Sequence, residues 1–395
     1  MGNSLKKNVP VLRFPEFKGD LELKYLGEIL DFKNGINADK SQYGQGVKFI
    51  NVLDIINDAP IYYDSIIGCV DISDQEFQKN NVQYGDVLFQ RSSEIREESG
   101  QSNIYLDKNQ DATFGGFVIR GRPKVKFNPI YFNYLLKTGS VRKEVTDRSG
   151  GSTRFNIGQD SLNQVPILIC NSIAEQEKIA SFLGTVDIRI SQLRRKYELL
   201  QTYKRGVMQK IFSQQIRFKG DDGKPFPDWE KKRLESIFSE FKSGYNITSD
   251  ELTESGSYPV FGGNGIRGYS EKFTHEGFYF LIGRQGALCG NIHRSYGKAY
   301  ISEHAIACKA NDTSDTEWLA QRLDYYNLNK LSESSAQPGL AVNKLLRSKL
   351  LTPCKKEQEK IADFLTAIDK KIEAVAKQIQ LTEQFKKGLL QKMFV

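Results

Sequence analysis

The chain has 395 residues, 39% of them hydrophobic, which is enough for two packed domains, and its net charge of +8 favours a polyanionic partner such as nucleic acid. Five widely spaced cysteines without a C-x-x-C pair argue against a disulfide framework or a structural zinc site. Because neither a signal peptide nor a membrane-spanning run is present, the sequence predicts a cytoplasmic protein without a membrane partner.

The first variable region, residues 1–170, is predicted to form a mixed α/β domain. It opens with Phe14-Pro15-Glu16-Phe17 and then alternates short β-branched and aromatic runs with clusters of Gly, Asn and Ser. Residues 85–91 have the pattern of a buried strand that ends in Arg91. Residues 131–136 are typical of a short amphipathic helix.

Residues 171–213 are predicted to form one long helix. Apolar residues recur from Ile179 to Ile211 at alternating intervals of four and three, which is the spacing of a coiled-coil seam. A helix of roughly 40 residues would be about 60 Å long. The following residues, 214–227, are rich in turn formers and predict a linker.

The second half repeats this plan, with a second mixed α/β domain over residues 228–353 and a second long helix over 354–395. The two helices align without a gap, sharing Glu-Gln-Glu-Lys-Ile-Ala at one end and Lys-x-Gly-x-x-Gln-Lys-x-Phe at the other. Each seam needs a partner, and the other helix is the nearest candidate. Lys204 and Lys386 occupy equivalent seam positions, where polar residues tend to fix the register.

Two pairs of motifs typical of enzymes are interpreted as structural. Residues 261–265 fit the glycine loop of a methyltransferase, but the residues that follow indicate a hairpin or loop, and the partial N-P-P-Y motif at 128–131 lies in the other half. Pro227-Asp228 and residues 240–242 fit the carboxylate spacing of a metal-dependent nuclease. Because that pattern belongs to a repeated opener, we interpret it as the Pro-led start of a helix with solvated charges. We therefore expect no catalytic residue, metal or cofactor.

Polar loops that combine Arg or Gln with small residues are the better candidates for function. Arg can pair bidentately with guanine and Gln with adenine, and Gly and Ser allow close approach to phosphates. Arg91 and Arg284 stand out, because each ends a predicted buried strand. The predicted DNA-contacting residues are Arg91, Arg148, Arg154, Arg267, Arg284, Gln285, Arg294 and Gln337.

This layout resembles the specificity subunits of Type I restriction-modification systems over essentially the whole chain. The resemblance is carried by the repeated helices, by the openers at 14–17 and 226–229, and by the segments 85–91 and 277–284. It implies an α/β fold with two mixed α/β target-recognition domains separated by two long antiparallel coiled-coil helices, related by an internal pseudo-twofold repeat.

The resemblance also implies that each target-recognition domain reads one half of a split site in double-stranded DNA. Two methyltransferase subunits and further restriction subunits would assemble on the chain, and the chemistry, S-adenosylmethionine and ATP would belong to those partners. The alternative from a different class is a structural coiled-coil scaffold without sequence-specific DNA binding. A methyltransferase or nuclease is the third interpretation.

Overall fold

The computed structural model describes residues 8–286, 288–331, 339–340 and 342–394, and the chain divides into two units. The first unit comprises residues 1–192 and 378–395, and the second comprises residues 193–377. Each unit therefore contains part of both long helices. Among the described residues, no helix has the length and apolar composition needed to cross a membrane.

The first unit is rich in short strands. Its strands are β1 Glu22–Tyr25, β2 Leu30–Asn34, β3 Tyr43–Ile50, β4 Cys69–Val70, β5 Val87–Gln90, β6 Ser92–Ser93, β7 Ser102–Ile104, β8 Thr113–Phe114, β9 Val118–Pro123, β10 Phe155–Asn156 and β11 Pro166–Ile169. Its helices are α1 Leu26–Ile29, α2 Val52–Ile55, α3 Asp74–Lys79, α4 Pro129–Leu136, α5 Gly139–Asp147, α6 Gln159–Asn163 and the beginning of α7 Ile173–Phe212.

The second unit has a matching set of elements. Its strands are β12 Glu230–Arg233, β13 Phe238–Ser243, β14 Tyr258–Gly262, β15 Gly265–Ser270, β16 His275–Glu276, β17 Tyr279–Gly283, β18 Ile292–Ser295, β19 Lys298–Ile301, β20 Ala305–Ala310 and β21 Lys349–Thr352. Its further helices are α8 Thr316–Tyr326, α9 Val342–Arg347 and the first part of α10 Lys355–Met393.

The central sheets of the two units have the same topology. The central antiparallel sheet has the order β2-β9-β5-β7 in the first unit and β13-β20-β17-β18 in the second. A smaller sheet in each unit contains one parallel pair, β3 with β8 and β14 with β19. The first and last strands of each unit also pair, β1 with β11 and β12 with β21. The fold is thus mixed α/β with an internal repeat, as predicted.

The core of each unit lies between its central sheet, one short helix and the long helices. In the first unit, α4 packs its buried face against the central sheet and the beginning of α7. In the second unit, α8 occupies the equivalent place, and Trp318 is its largest fully buried side chain. Both helices begin at a side chain that accepts a hydrogen bond from the first turn, Asn128 in α4 and Asp315 in α8.

The two long helices run antiparallel within the first unit. Lys386 of α10 pairs with Asp187 of α7 at 2.6 Å. Further along α10, Phe394 packs on Tyr131, whose hydroxyl accepts a hydrogen bond from the Cys170 backbone just before α7 begins. The end of α10 therefore lies beside the beginning of α7.

The same direction holds within the second unit. Lys204 of α7 pairs with Asp369 of α10 at 2.7 Å, while Arg217, beyond the end of α7, reaches Glu357 near the beginning of α10. The predicted seam residues of both helices are buried or half-buried. The predicted antiparallel pairing and the heptad seam are therefore confirmed in each unit, and both seam lysines are matched by a carboxylate.

The motifs typical of enzymes can be compared with the structure. Residues 261–265 comprise the end of β14, the turn at 263–264 and the first residue of β15, so the predicted hairpin is confirmed. Residues 128–131 form the cap and first turn of α4. The predicted helix at the second opener was wrong, because residues 230–233 form β12, which is followed by one 3-10 turn. Pairing with β21, which is distant in sequence, outweighs the low strand propensity of Glu-Lys-Lys-Arg.

Candidate nucleic-acid interface

In the first unit the central strand β5 ends at an exposed arginine. All residues of β5 are buried, and Arg91 follows it with an exposed side chain. Its backbone N–H donates to the Phe117 carbonyl at 2.9 Å, and Nη1 donates to the Gly116 carbonyl at 3.4 Å. A rigid strand thus presents the guanidinium group at the edge of the unit, where it can meet a ligand.

A second loop lies beside Arg91. The short strands β6 and β10 pair antiparallel and bring Arg154 next to the residues that follow Arg91. Arg154 lines a shallow pocket of about 250 Å³ together with Ser92, Ser93, Glu94 and Phe117. Phe117 is 63% exposed. No local pattern marks this aromatic side chain as functional, although the Gly115-Gly116 pair before it signals a break in strand pairing.

In the second unit the central strand β17 ends in the same way. All of β17 is buried, and the exposed Arg284 follows it. The Arg284 backbone N–H donates to the His304 carbonyl at 3.0 Å, and Nη1 donates to Ser243 Oγ at 3.1 Å. A side chain at Gly283 would place its Cβ 2.2 Å from the Gly263 carbonyl, so glycine at this position lets the β14–β15 turn lie against the end of β17.

The β14–β15 hairpin completes a groove in the second unit. Arg267, which is exposed on β15, and Gln285 line the same groove of about 350 Å³, together with Asn264 and His304. The two predicted residues are distant in sequence and are brought together by the hairpin. The groove therefore offers a guanidinium, two side-chain amides and a histidine next to Arg284.

Two predicted arginines are held in ion pairs. Arg148 caps α5 and donates to Glu144 at 2.5 Å. Arg294 donates to both carboxylate oxygens of Glu317 on α8, at 2.7 to 3.1 Å. Burial disfavours the charge of Arg294, but the Glu317 carboxylate outweighs this and raises the pKa. Gln337 lies outside the described residues.

A buried glutamate at the start of each long helix ties the helix to the opener of its own unit. Glu175 accepts two hydrogen bonds from Arg13, at 2.7 and 2.8 Å. Glu357, which is fully buried, accepts two from Arg217, at 3.1 and 2.8 Å, and a third from Trp229 Nε1 at 3.0 Å. The carboxylates raise the pKa of both arginines. These contacts position each domain on its helix.

The glutamine of the repeated motif makes a second connection. Gln176 accepts from the Asn128 backbone N–H and donates to the Cys170 carbonyl, both at 2.7 Å. Gln358 accepts from the Asp315 backbone N–H and donates to the Pro353 carbonyl, both at 2.8 Å. The Glu-Gln pair thus joins the long helix to the opener and to the short helix of the core.

The chemistry available at these loops is hydrogen bonding by Arg, Gln and Asn side chains. In the part of the chain that the structure describes, no three His, Cys, Asp or Glu side chains converge where a metal ion could be held. Exposed guanidinium groups that directly follow buried central strands suit the recognition of phosphates and base edges. Fold and site define a duplicated α/β protein with two arginine-bearing polar surfaces.

Comparisons with known proteins narrow this class. The family model described as the Type I restriction modification DNA specificity domain matches residues 18–201 and 227–383. The Type I restriction enzyme EcoprrI specificity subunit of Escherichia coli is 40% identical over 160 residues, covering 40% of this chain and 39% of that protein. The putative MjaX specificity subunit of Methanocaldococcus jannaschii is 25% identical over 98% of this chain and 95% of that protein.

Solved structures show the same fold. The S subunit of a Type I restriction-modification system from M. genitalium has a TM-score of 0.66 at 18% identity and covers 98% of this chain and 99% of that chain. A chain from a structural study of complex assembly and conformational transition of the Type I system has a TM-score of 0.57 at 15% identity, covering 95% of this chain and 99% of that one.

The protein belongs to the family of Type I restriction-modification DNA specificity subunits, since the family model matches both halves of the chain. The matches do not favour a coiled-coil scaffold without sequence-specific DNA binding.

Proposed function

We propose that each unit reads one half of a split site in double-stranded DNA through the polar loops at the end of its central sheet. The observation that carries this proposal is the equivalent placement of Arg91 and Arg284, each exposed directly after a buried central strand. Among the described residues, each guanidinium makes one hydrogen bond, which leaves donors for a bidentate pair with guanine. Because the loops beside them differ, the two half-sites differ in sequence.

The neighbouring residues complete the two reading surfaces in this proposal. Arg154 acts with Arg91 in the first unit, and Arg267 and Gln285 act with Arg284 in the second, since each group lies in one pocket or next to it. Arg148 and Arg294 support the fold through their ion pairs, and Gln337 remains a predicted contact.

The chain itself performs no catalysis in this account. Residues 1–170 and 228–353 are the target-recognition domains, residues 171–213 and 354–395 are the helices, and residues 214–227 are the linker. Two methyltransferase subunits and restriction subunits assemble on the chain and supply the chemistry. In this proposal the complex acts in the cytoplasm.

Mapping of methylated adenine across a genome tests this proposal. In cells that express the chain with the methyltransferase subunit of its system, methylation should fall on a bipartite site whose two halves differ. Cells that express the methyltransferase subunit alone are the control and should lack this pattern. A continuous site, or a palindromic one, would contradict the assignment of one half-site to each unit.

A further inference from the structure

A β-turn occupies the same place in the two units, next to the arginine that follows the central strand. In the first unit, residues 115–118 form this turn between β8 and β9, and a backbone hydrogen bond of 2.9 Å closes it. In the second unit, residues 302–305 form it between β19 and β20, closed by a bond of 3.0 Å. The third residue of the turn is Phe117 in the first unit and His304 in the second.

The third residue of each turn holds the arginine through the backbone. The Arg91 N–H donates to the Phe117 carbonyl at 2.9 Å, and the Arg284 N–H donates to the His304 carbonyl at 3.0 Å. These matching bonds show that Phe117 and His304 occupy equivalent positions, although the side chains differ in chemistry. Each side chain therefore lies beside the arginine of its own unit.

The turn of the first unit is packed closely against its neighbours. A Cβ on Gly115 would lie 2.7 Å from the Phe49 ring, and a Cβ on Gly116 would lie 1.9 Å from Asn37 Oδ1. Glycine at both places lets the turn make these contacts. The aromatic ring that follows is nevertheless 63% exposed and lines the pocket of about 250 Å³. The turn thus holds Phe117 in a fixed place and leaves its ring open to a ligand.

The two side chains suit different base edges. The ring of Phe117 offers apolar contact, and the apolar group that a base presents in the major groove is the methyl group of thymine. The side chain of His304 is 45% exposed and lines the groove that Arg267 and Gln285 also line. An imidazole forms hydrogen bonds, which suit the polar edges of the other bases.

We propose that the third residue of each turn reads the base pair next to the one read by the arginine. Phe117 packs against the methyl group of a thymine, and His304 hydrogen-bonds to a polar base edge. Successive base pairs are about 3.4 Å apart, so adjacent side chains reach adjacent pairs. The inference rests on the proposed function, in which Arg91 and Arg284 face the bases. Because the arginines are alike and the turn residues differ, the turn residues distinguish the two half-sites at this position.

Replacing thymine with deoxyuridine tests the contact of Phe117, because deoxyuridine lacks only the methyl group. The chain in complex with its methyltransferase subunit would be titrated with duplexes that carry the mapped site, and each thymine of the first half-site would be replaced singly. At one position the wild-type complex should bind deoxyuridine about fourfold more weakly, since burial of one such group contributes about 0.8 kcal/mol. Phe117→Ala should bind both duplexes equally.

Two further variants control this experiment. Phe117→Leu keeps an apolar side chain and should keep part of the preference for thymine. Tyr84→Ala removes another exposed aromatic side chain of the first unit, 43% exposed, which lies before β5 and so at the other end of that strand from Arg91. It should keep the full preference for thymine.

Exchanging the turn residues gives a second readout, in which the sequence of the site changes. With His304→Phe, methylation mapping should show the second half-site changed at one position, where a pair with thymine is now selected, and the first half-site unchanged. With Phe117→His, the first half-site should lose its thymine preference at one position. Unchanged half-sites in both variants would show that the turn residues do not read bases.

Other outcomes would also overturn the inference and leave the proposed function standing. A bipartite site with no A·T pair in its first half would do so, as would an equal preference for thymine in the wild type and in Phe117→Ala. If Phe117→Ala weakens binding to both duplexes equally and reduces the bend of the DNA, measured by energy transfer between its ends, the ring is inserted between base pairs. A site that is not bipartite would contradict the proposed function itself.

Discussion

In the first unit Gln176 bonds to the start of α4 and to the carbonyl of Cys170, and in the second unit Gln358 bonds in the same way to the start of α8 and to the carbonyl of Pro353. At the far end of each central sheet this agreement stops. The first unit continues into the short β6–β10 pair, whereas the second places the β14–β15 hairpin against its central strand. In each unit the central sheet, the short core helix and the long helix form a frame that buried hydrogen bonds hold together. The same frame can therefore carry different loops, as two different half-sites require.

The frames themselves differ in one respect. Among the described residues, Glu175 accepts side-chain hydrogen bonds from Arg13 alone, whereas Glu357 accepts them from Arg217 and from Trp229. Phe17 stands in the first opener where Trp229 stands in the second. The second glutamate thus has one more hydrogen-bond donor. We call each glutamate with its donors an anchor, and the two anchors should lose different amounts of stability when the arginine is removed.

The largest effect on stability is expected for Arg13→Met. Removing one partner of a buried ion pair costs about 3–5 kcal/mol, and Glu175 would keep no side-chain donor of the anchor. Arg217→Met should cost about 1 kcal/mol less, because Trp229 still donates to Glu357. Hydrogen exchange of the first turns of α7 and α10 measures both losses. Arg195→Met, in an exposed ion pair, is the control and should change little. Equal losses at the two anchors would contradict the extra role of Trp229.

Arg284→Ala compares the two reading surfaces. If Arg284 reads a base, its loss should cost about 1–3 kcal/mol and relax one position of the second half-site only. Arg91→Ala should do the same in the first half-site. Methylation mapping combined with binding to altered sites measures both. Arg233→Ala, an exposed arginine on β12 away from the loops, is the control. Relaxation of both half-sites by either variant would show that the units do not read independently.

The periodic features of the fold could be predicted from the sequence. The seams, the buried strands before Arg91 and Arg284, and the short helix at residues 131–136 are local patterns. The alignment of two copies within one chain supports the prediction of the seams and strands. The seam lysines were recognised as equivalent, but their partners Asp187 and Asp369 lie on the facing helix and leave no local signal.

Contacts between residues that are far apart in the sequence explain why the anchors and the composition of the candidate site were not predicted. Arg13-Phe14 and Arg217-Phe218 make equivalent contacts with the long helices, yet residues 219–225 separate the second pair from its Phe-Pro motif and hide the match. The same holds for the candidate site. Arg267 and Gln285 share a groove only because the hairpin folds onto β17, and the pairing of Arg294 with Glu317 depends on the packing of a strand against a helix.

Trp229→Phe makes the anchor of the second unit resemble that of the first. It removes one hydrogen bond to the Glu357 carboxylate and keeps an aromatic ring, so we expect a loss of about 1.5 kcal/mol. Urea unfolding followed by the fluorescence of Trp318 measures the loss in the second unit. The reverse change, Phe17→Trp, is the companion variant. A loss below about 0.5 kcal/mol for Trp229→Phe would mean that Arg217 alone satisfies the glutamate.

The smallest expected effect is the pH dependence of the free energy of unfolding. It should differ between the units, because all three histidines lie in the second unit. Burial lowers the pKa of His275 and His293 below the ordinary value of about 6.5. As pH falls through that value, the unfolded chain binds protons that the folded unit resists, so stability is lost. Between pH 7.5 and 6.0 each histidine should cost at most about 1 kcal/mol, measured by tryptophan fluorescence in urea. In the His275→Gln, His293→Gln double variant, the free energy of unfolding should no longer fall by this amount between pH 7.5 and 6.0. If it falls as much as in the wild type, these two histidines are not the cause.

The most direct test of the account is a chain that carries the first recognition domain twice. The frames offer matched junctions, because Leu26 bonds to the Val165 carbonyl at 2.9 Å and Leu234 to the Ser348 carbonyl at 3.0 Å. Residues 245–348 would be replaced by residues 36–165, and methylation would be mapped with the methyltransferase subunit. The account predicts a site whose two halves carry the same sequence, the one read by the first unit in the wild-type chain. A site that keeps the half read by the wild-type second unit would contradict it.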